Sequence, residues 1–201
     1  IDDVSTYYKN YLKNIRIYEL NYKKNNPIYV LFKIFNLVKQ IDPDLIHSWL
    51  YGSDLIASIL AIFQNRKNIL WSIRSTNTMK HLDVYSKIVV KLLSFFSGTI
   101  PKKIIANSYS GKIDHVKLGY ANEKIEVIHN GYNLKKLKNN KNINTRKKLR
   151  LKFGLKDNDI LIGNIGRDHP MKDHFTFIDT AFFLKKNKKS AKFLILGKGI
   201  K

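Results

Sequence analysis

Arg167 and Lys172 stand five residues apart in GNIGRDHPMKDHF, residues 163–175, between the apolar run ILI and the helix-patterned segment TFIDTAFFL. An arginine can grip phosphate oxygens with a planar fork, while a lysine acts as a mobile point charge. A strand over 160–166 would deliver Gly166 and Arg167 to its carboxyl end, where ligands bind in open α/β sheets. A helix starting near Asp173 would aim its N-terminal N–H groups at the same place and favour an anion there. Each charge-assisted bond is worth about 1.5–3 kcal/mol, and a diphosphate is the natural ligand. Spacing alone fits a solvated basic loop with Asp173 as helix cap equally well. The next strand pattern ends in Gly197 and Gly199 of LILGKGIK. A single Gly-x-Gly is weak by itself, but it would open on the same sheet edge.

Three further strand exits carry polar groups. In HSWLYGSD, His47 could serve as a base or acceptor-site group, and Gly52 with Ser53 could admit a ligand. A lone histidine at a strand end is more often structural. WSIRSTN crowds Arg74, Ser75, Thr76 and Asn77 together, and in ANSYSGK the plain role of Ser108 is a helix cap. The chain contains no Walker-A loop, full Gly-x-Gly-x-x-Gly fingerprint, His-Glu-x-x-His or Gly-x-Ser-x-Gly motif.

These groups need a scaffold of alternating elements, and the pattern supplies one. Short β-branched runs at 15–20, 44–49, 68–73, 103–108, 124–130, 160–166 and 192–197 fit strands of a parallel sheet buried on both faces. Helical spacing fills 27–41, 52–63, 85–97, 108–119, 144–154 and 173–186 between them. Pro27 suits a first turn, Ser53 or Asp54 a cap, and Gly119 a C′ position. Leu55, Ile59, Ile62 and Phe63 share one helix face, and Phe175, Ile178 and Phe182 another. Strand and helix alternation predicts a doubly wound α/β architecture. Residues 135–152 hold nine basic and no acidic residues and read as a linker before a second α/β unit. Just ahead of it, Asn130-Gly131 favours a tight turn with positive φ.

The 201 residues carry a formal charge of +22, which suits polyanionic partners such as nucleic acid, an anionic membrane surface or phosphorylated substrates. The joint richness in Lys, Asn and Ile is also what an AT-rich genome produces. Without cysteine there is no disulfide or thiolate metal site, which suits a reducing compartment. No apolar stretch reaches the roughly 18–20 residues that span a bilayer. Both ends read as cut, so a piece of a longer protein is expected.

The order of these segments resembles the family 4 glycosyltransferases of the GT-B fold. DPDLIHSWLYGSDLIASILA is similar to the middle of the family's acceptor domain, and KKIIANSYSGKIDHVKLGYANEKIEVIHNGYN to its segment ending at Ile128, His129, Asn130 and Gly131. ILIGNIGRDHPMKDHFTFIDTAFFL with KFLILGKG resembles the opening of the donor domain. The resemblance implies a Rossmann-like acceptor-side domain over 1–140 and the beginning of a second Rossmann-like, donor domain over 141–201. It implies transfer of a sugar, with retention of configuration, from a UDP- or GDP-sugar to a glycan or lipid-linked acceptor in bacterial cell-surface polysaccharide synthesis. Arg167, Lys172 and Gly166 would hold the donor diphosphate, with Gly197 and Gly199 on the donor-side loop. His47, Gly52, Asn77 and Ser108 would line the acceptor-side cleft. Many relatives have a histidine where SIRSTN stands; here Arg74 and Ser75 are the catalytic candidates. The family's Glu-x7-Glu segment would fall beyond Lys201 and its first glycine loop before Ile1, so these residues alone are expected to be inactive. No metal or cofactor is expected, and location would be cytoplasmic, on or near the inner membrane face. A basic nucleic-acid-binding module without transferase activity is the rival; on the glycosyltransferase reading no nucleic acid is expected.

Overall fold

The computed structural model describes residues 15–20, 26–76, 79, 82–135, 143–187 and 191–199. The chain divides into two compact units, Ile1–Gly131 and Tyr132–Lys201.

In the first unit the order is α1 (Pro27–Ile41), β1 (Ile46–His47), α2 (Tyr51–Phe63), β2 (Ile69–Ile73), α3 (Val84–Phe96), β3 (Lys103–Ala106), α4 (Tyr109–Lys117) and β4 (Ile125–Val127). The four strands form one sheet in the order β1-β2-β3-β4, every pair parallel. β1 is short, yet its ladder runs on: Ser48 N–H donates to Leu70 O at 2.9 Å and Leu50 N–H to Ser72 O at 3.4 Å. Ile69, Trp71 and Ile73 of β2 are buried with Ile104 and Ala106 of β3. Val89, Val90 and Leu93 of α3 join the same core, as does Ala57 of α2. This is the near-continuous burial expected of parallel strands covered on both faces.

Local signals set the helix ends. Asn26 accepts from Ile28 N–H ahead of Pro27, and Ser108 accepts from Gly111 N–H at 3.0 Å. Gly119 follows α4 with φ +96, a left-handed C′ position that suits glycine.

Several expectations are corrected. Residues 15–20 form no strand; 17–20 lie along α1, where Ile17, Tyr18, Tyr29, Phe32 and Leu37 line a hollow of about 500 Å³. α2 is preceded by Leu50, without a side-chain cap, and Asp54 is buried in its first turn. Ile62 and Phe63 do not face the core; Phe63 meets Phe35 of α1 edge to face at 6.2 Å. Gly131 takes no positive φ.

The second unit holds α5 (Ile143–Lys152), β5 (Ile160–Ile165), α6 (His174–Lys186) and β6 (Ala191–Leu196), with β5 and β6 parallel. Of the basic stretch read as a linker, Ile143–Lys152 is helix, as the spacing over 144–154 predicts, and 136–142 lie outside the described residues. Arg150 is buried, and its guanidinium donates to the carbonyls of Lys156, Asp157 and Asp159, closing the turn before β5. On α6 the expected apolar stripe is open, Phe175 being 82% exposed, whereas Phe177 packs on Phe193 with ring centroids 5.7 Å apart.

Ile104→Ala should lower the unfolding free energy of the first unit by about 3 kcal/mol, through lost burial and the cavity left in the core. Val84→Ala, at the exposed start of α3, should change it by about 0.5 kcal/mol or less. Urea titrations followed by circular dichroism would check both.

Candidate functional site

Because β1 to β4 run parallel, their carboxyl ends open on one edge, and the polar strand exits meet there. His47 Nε2 lies 2.7 Å from Ser72 Oγ. The imidazole is also 5.0 Å from the Trp49 ring, centroid to centroid. Arg74 sets its guanidinium 4.5 Å from the centroid of that tryptophan and donates to Asn130 Oδ1 at 2.9 Å. One arginine therefore ties the exits of β1, β2 and β4 together. Partial burial, then the Arg74 charge, keep His47 below the ordinary histidine range. Ser108 stays with its cap, and the first turn of α4 presses close to the end of β2. A Cβ at Gly111 would lie 3.1 Å from Ser108 Oγ and 3.3 Å from Ser75 O. Gly52 opens on empty space, and Asn77 lies outside the described residues.

Behind this edge lies a polar interior. Ser48 Oγ is 2.5 Å from Asp54 Oδ1 and 3.1 Å from Leu70 O. Burial pushes the Asp54 carboxyl up to about 7, against the opposing effect of hydrogen bonds from Ser48 and the Ser72 backbone. Next to this pair, Tyr51 Oη is 2.8 Å from both Ser75 Oγ and His115 Nε2. His115 is fully buried, with Nδ1 2.7 Å from Gly111 O. Burial holds its pKa down, outweighing the Gly111 carbonyl and the Asp114 charge. Tyr120 stands edge-on to His115 at 5.0 Å, its pKa raised by burial first and then by Tyr51 and Asp54.

Sequence reasoning placed His47, Arg74, Ser75 and Ser108 at strand exits, where the structure brings them to one edge. It missed Trp49, Tyr51 and His115, gave Asn130 only a place in a turn and in the family-like segment, and gave Asp54 only a capping role. For Asp54 a signal existed: an acid one turn before Ala57 and Ser58, on the face that meets the sheet.

In the second unit the structure draws Gly166, Arg167, Lys172, Gly197 and Gly199 together. Gly166 N–H donates to Leu196 O and Asp168 N–H to Lys198 O, both at 2.9 Å, so the pairing continues beyond the strands. A Cβ at Gly197 would fall 1.8 Å from Gly166 O, a contact no side chain can occupy. The Lys172 stem crosses Gly166, where a Cβ would meet its Cγ at 3.0 Å. Asp173, at φ +47, caps α6 by accepting from Thr176 N–H and Thr176 Oγ1. His174 Nε2 donates to Arg167 O at 3.0 Å and ties the loop to the helix. Among the described residues neither Arg167 nor Lys172 enters an ion pair, and both side chains are exposed.

Two outcomes follow. An acid whose folded pKa is raised contributes stability below its unfolded pKa and loses it as pH rises through the folded value. The wild type should therefore lose stability relative to Asp54→Asn between pH 4 and pH 7, by about 4 kcal/mol in all. Urea midpoints of the two proteins across that range would show a flat difference if Asp54 were ionised throughout. Gly197→Ala should displace the Gly166–Arg167 backbone and lower stability by several kcal/mol, about 3 or more, measured by thermal unfolding of the second unit.

With this geometry in hand, comparison with known proteins is informative. An uncharacterised glycosyltransferase of Methanocaldococcus jannaschii is 26% identical over 198 residues, covering 92% of this chain and 48% of that protein. The chain thus spans about half the length of the curated relative it matches. The crystal structure of Anabaena HepE in complex with UDP-glucose aligns with a TM-score of 0.67 at 16% identity, over 96% of this chain and 59% of that one. A glycosyltransferase from Rickettsia africae aligns with a TM-score of 0.62 at 16% identity, over 98% and 58%. Likeness at such identity establishes the fold, a Rossmann-like α/β arrangement of the GT-B type. The model of Glycosyltransferase Family 4 matches residues 5–136. The parallel sheet, its polar carboxyl edge and this match over more than half of the sequence together mean that the chain belongs to Glycosyltransferase Family 4.

Proposed function

We propose that the protein transfers a sugar, with retention of configuration, from a nucleotide-sugar donor to a hydroxyl of a glycan or lipid-linked acceptor. The balance is nucleotide sugar plus acceptor alcohol giving glycoside, nucleoside diphosphate and a proton. The first unit serves the acceptor side and the second the donor side. The observation that carries this reading is the contact of Gly166 with Gly197, which brings two parallel strand exits together with Lys172 folded across them and Arg167 beside them. Two cations without ion-pair partners among the described residues, over closely spaced backbone, match a diphosphate and would stabilise its charge as it departs. UDP is the first nucleotide to test, since UDP-glucose occupies the Anabaena relative. The net charge of +22 suits a station at an anionic inner membrane surface, where a lipid-linked acceptor for cell-surface polysaccharide would be presented.

Calorimetric titration of the full-length protein with UDP, GDP and ADP should show one nucleotide bound. Arg167→Ala with Lys172→Ala should weaken that binding by about 100-fold or more, the sum of two charge-assisted bonds. Equal binding by the double variant, or no binding by the wild type, would remove the residue-level basis of this function.

A further inference from the structure

The outer face of α3 is apolar and uncovered. Val89, Val90 and Leu93 turn into the core of the first unit, as an amphipathic helix on a sheet requires. A second apolar set points the other way: Val84, Tyr85, Ile88, Leu92 and Phe95 are all exposed, from 44% at Leu92 to 80% at Phe95. At 3.6 residues per turn these five fall within about 100° of the helix circumference, so they form one stripe. Together they open on the order of 500 Å² of apolar surface, the size at which an exposed patch marks an interaction site. Lys87 and Lys91 stand along one flank, Lys87 three residues from Val84, and Lys91 three from Ile88 and four from Phe95. Residues 84–103 contain four lysines and no acid, and among the described residues only Lys103 of the four has an ion-pair partner, Glu126. The acid at the helix start, Asp83, is committed to the cap, accepting from Ser86 N–H and Ser86 Oγ.

Charge decides what fits this face. A second copy would bring two chains of charge +22 together, with Lys87 and Lys91 of each beside the contact, and like charges oppose that. A strand added at the open β1 edge would extend the sheet sideways, whereas α3 returns β2 to β3 in its middle. An anionic lipid surface meets both features at once: acyl chains take the apolar stripe, and phosphate head groups take the flanking ammonium groups. With 13 residues α3 is too short to cross a bilayer, so it would lie on the surface.

We propose that α3 is a membrane-docking helix that lies in the plane of an anionic bilayer, its apolar stripe in the head-group boundary and Lys87 and Lys91 on the lipid phosphates. This deepens the proposed function by naming the surface that brings the acceptor side of the protein to a lipid-linked acceptor. It rests on that reading for the purpose of docking, while the docking itself rests on the stripe and its lysines.

The test sediments the full-length protein with phosphatidylcholine vesicles, alone or mixed with phosphatidylglycerol. The wild type should bind the mixed vesicles, and more weakly as salt is raised. Ile88→Gln with Phe95→Gln should weaken that binding by about 20-fold or more, through lost apolar contact. Lys87→Gln with Lys91→Gln should weaken it by about tenfold and flatten its salt dependence. All four positions lie off the core, so both variants should keep the wild-type circular dichroism. Because the chain has no cysteine, an environment-sensitive dye on Phe95→Cys labels the stripe alone, and its emission should shift to the blue on the mixed vesicles. No vesicle binding by the wild type, or binding unchanged in the Ile88→Gln, Phe95→Gln variant, would overturn the proposal. So would a wild-type dimer in ultracentrifugation that this variant converts to a monomer, since the stripe would then join two copies. Titration of the same proteins with UDP, GDP and ADP keeps the two readings apart. A nucleotide bound without vesicle binding removes the docking helix alone, and vesicle binding without any nucleotide bound removes the transferase reading alone.

Discussion

Everything at the functional edge depends on the parallel pairing of β2 with both of its neighbours. Leu70 pairs with both His47 and Lys103, and the register continues to Ile73 opposite Ala106. Parallel strands cannot be joined by tight hairpins, so each returns through a helix and each leaves the sheet in the same direction. The exits of β1, β2 and β4 thereby fall within reach of one guanidinium. The same constraint explains the polar interior. Ser72, buried in the central strand, is tolerated because its backbone carbonyl receives Leu50 N–H and its hydroxyl meets His47.

The two units reach comparable ends by different means. In the first, side chains from strand exits and two helices interlock through hydrogen bonds. In the second, the organising element is the absence of a side chain: Gly197 lets one backbone lie against another, and the neighbouring cations are left to solvent. A site built from crossing backbones tolerates change in its surroundings but none at the crossing itself.

Much of this could be read along the chain. The alternation of β-branched runs with helical spacing located β1 to β6 and α1 to α6 to within a few residues, because burial periodicity and end signals such as Pro27, Ser108 and Gly119 are local. The run at 15–20 misled, since a β-branched, aromatic composition suits a strand but does not by itself decide whether one forms. Phe175 and Phe182 misled for a related reason: a stripe on a helix does not say which neighbour, if any, will cover it. Among site residues, the loop from Gly166 to Lys172 was legible because its cations and glycines are close in sequence. The pairing of Tyr51 with His115 spans 64 residues and carries no linear mark. Asp54 was visible as a residue but not as a buried acid, since the same spacing describes a cap.

The sheet edge also has an optical property. The chain contains two tryptophans, Trp71 wholly enclosed in the core and Trp49 about 49% exposed beneath Arg74. Their emission should divide into a blue, shielded component and a redder one open to solvent. The second is attached to the very surface where the strand exits meet, so the protein carries an intrinsic reporter of that surface and an internal reference beside it.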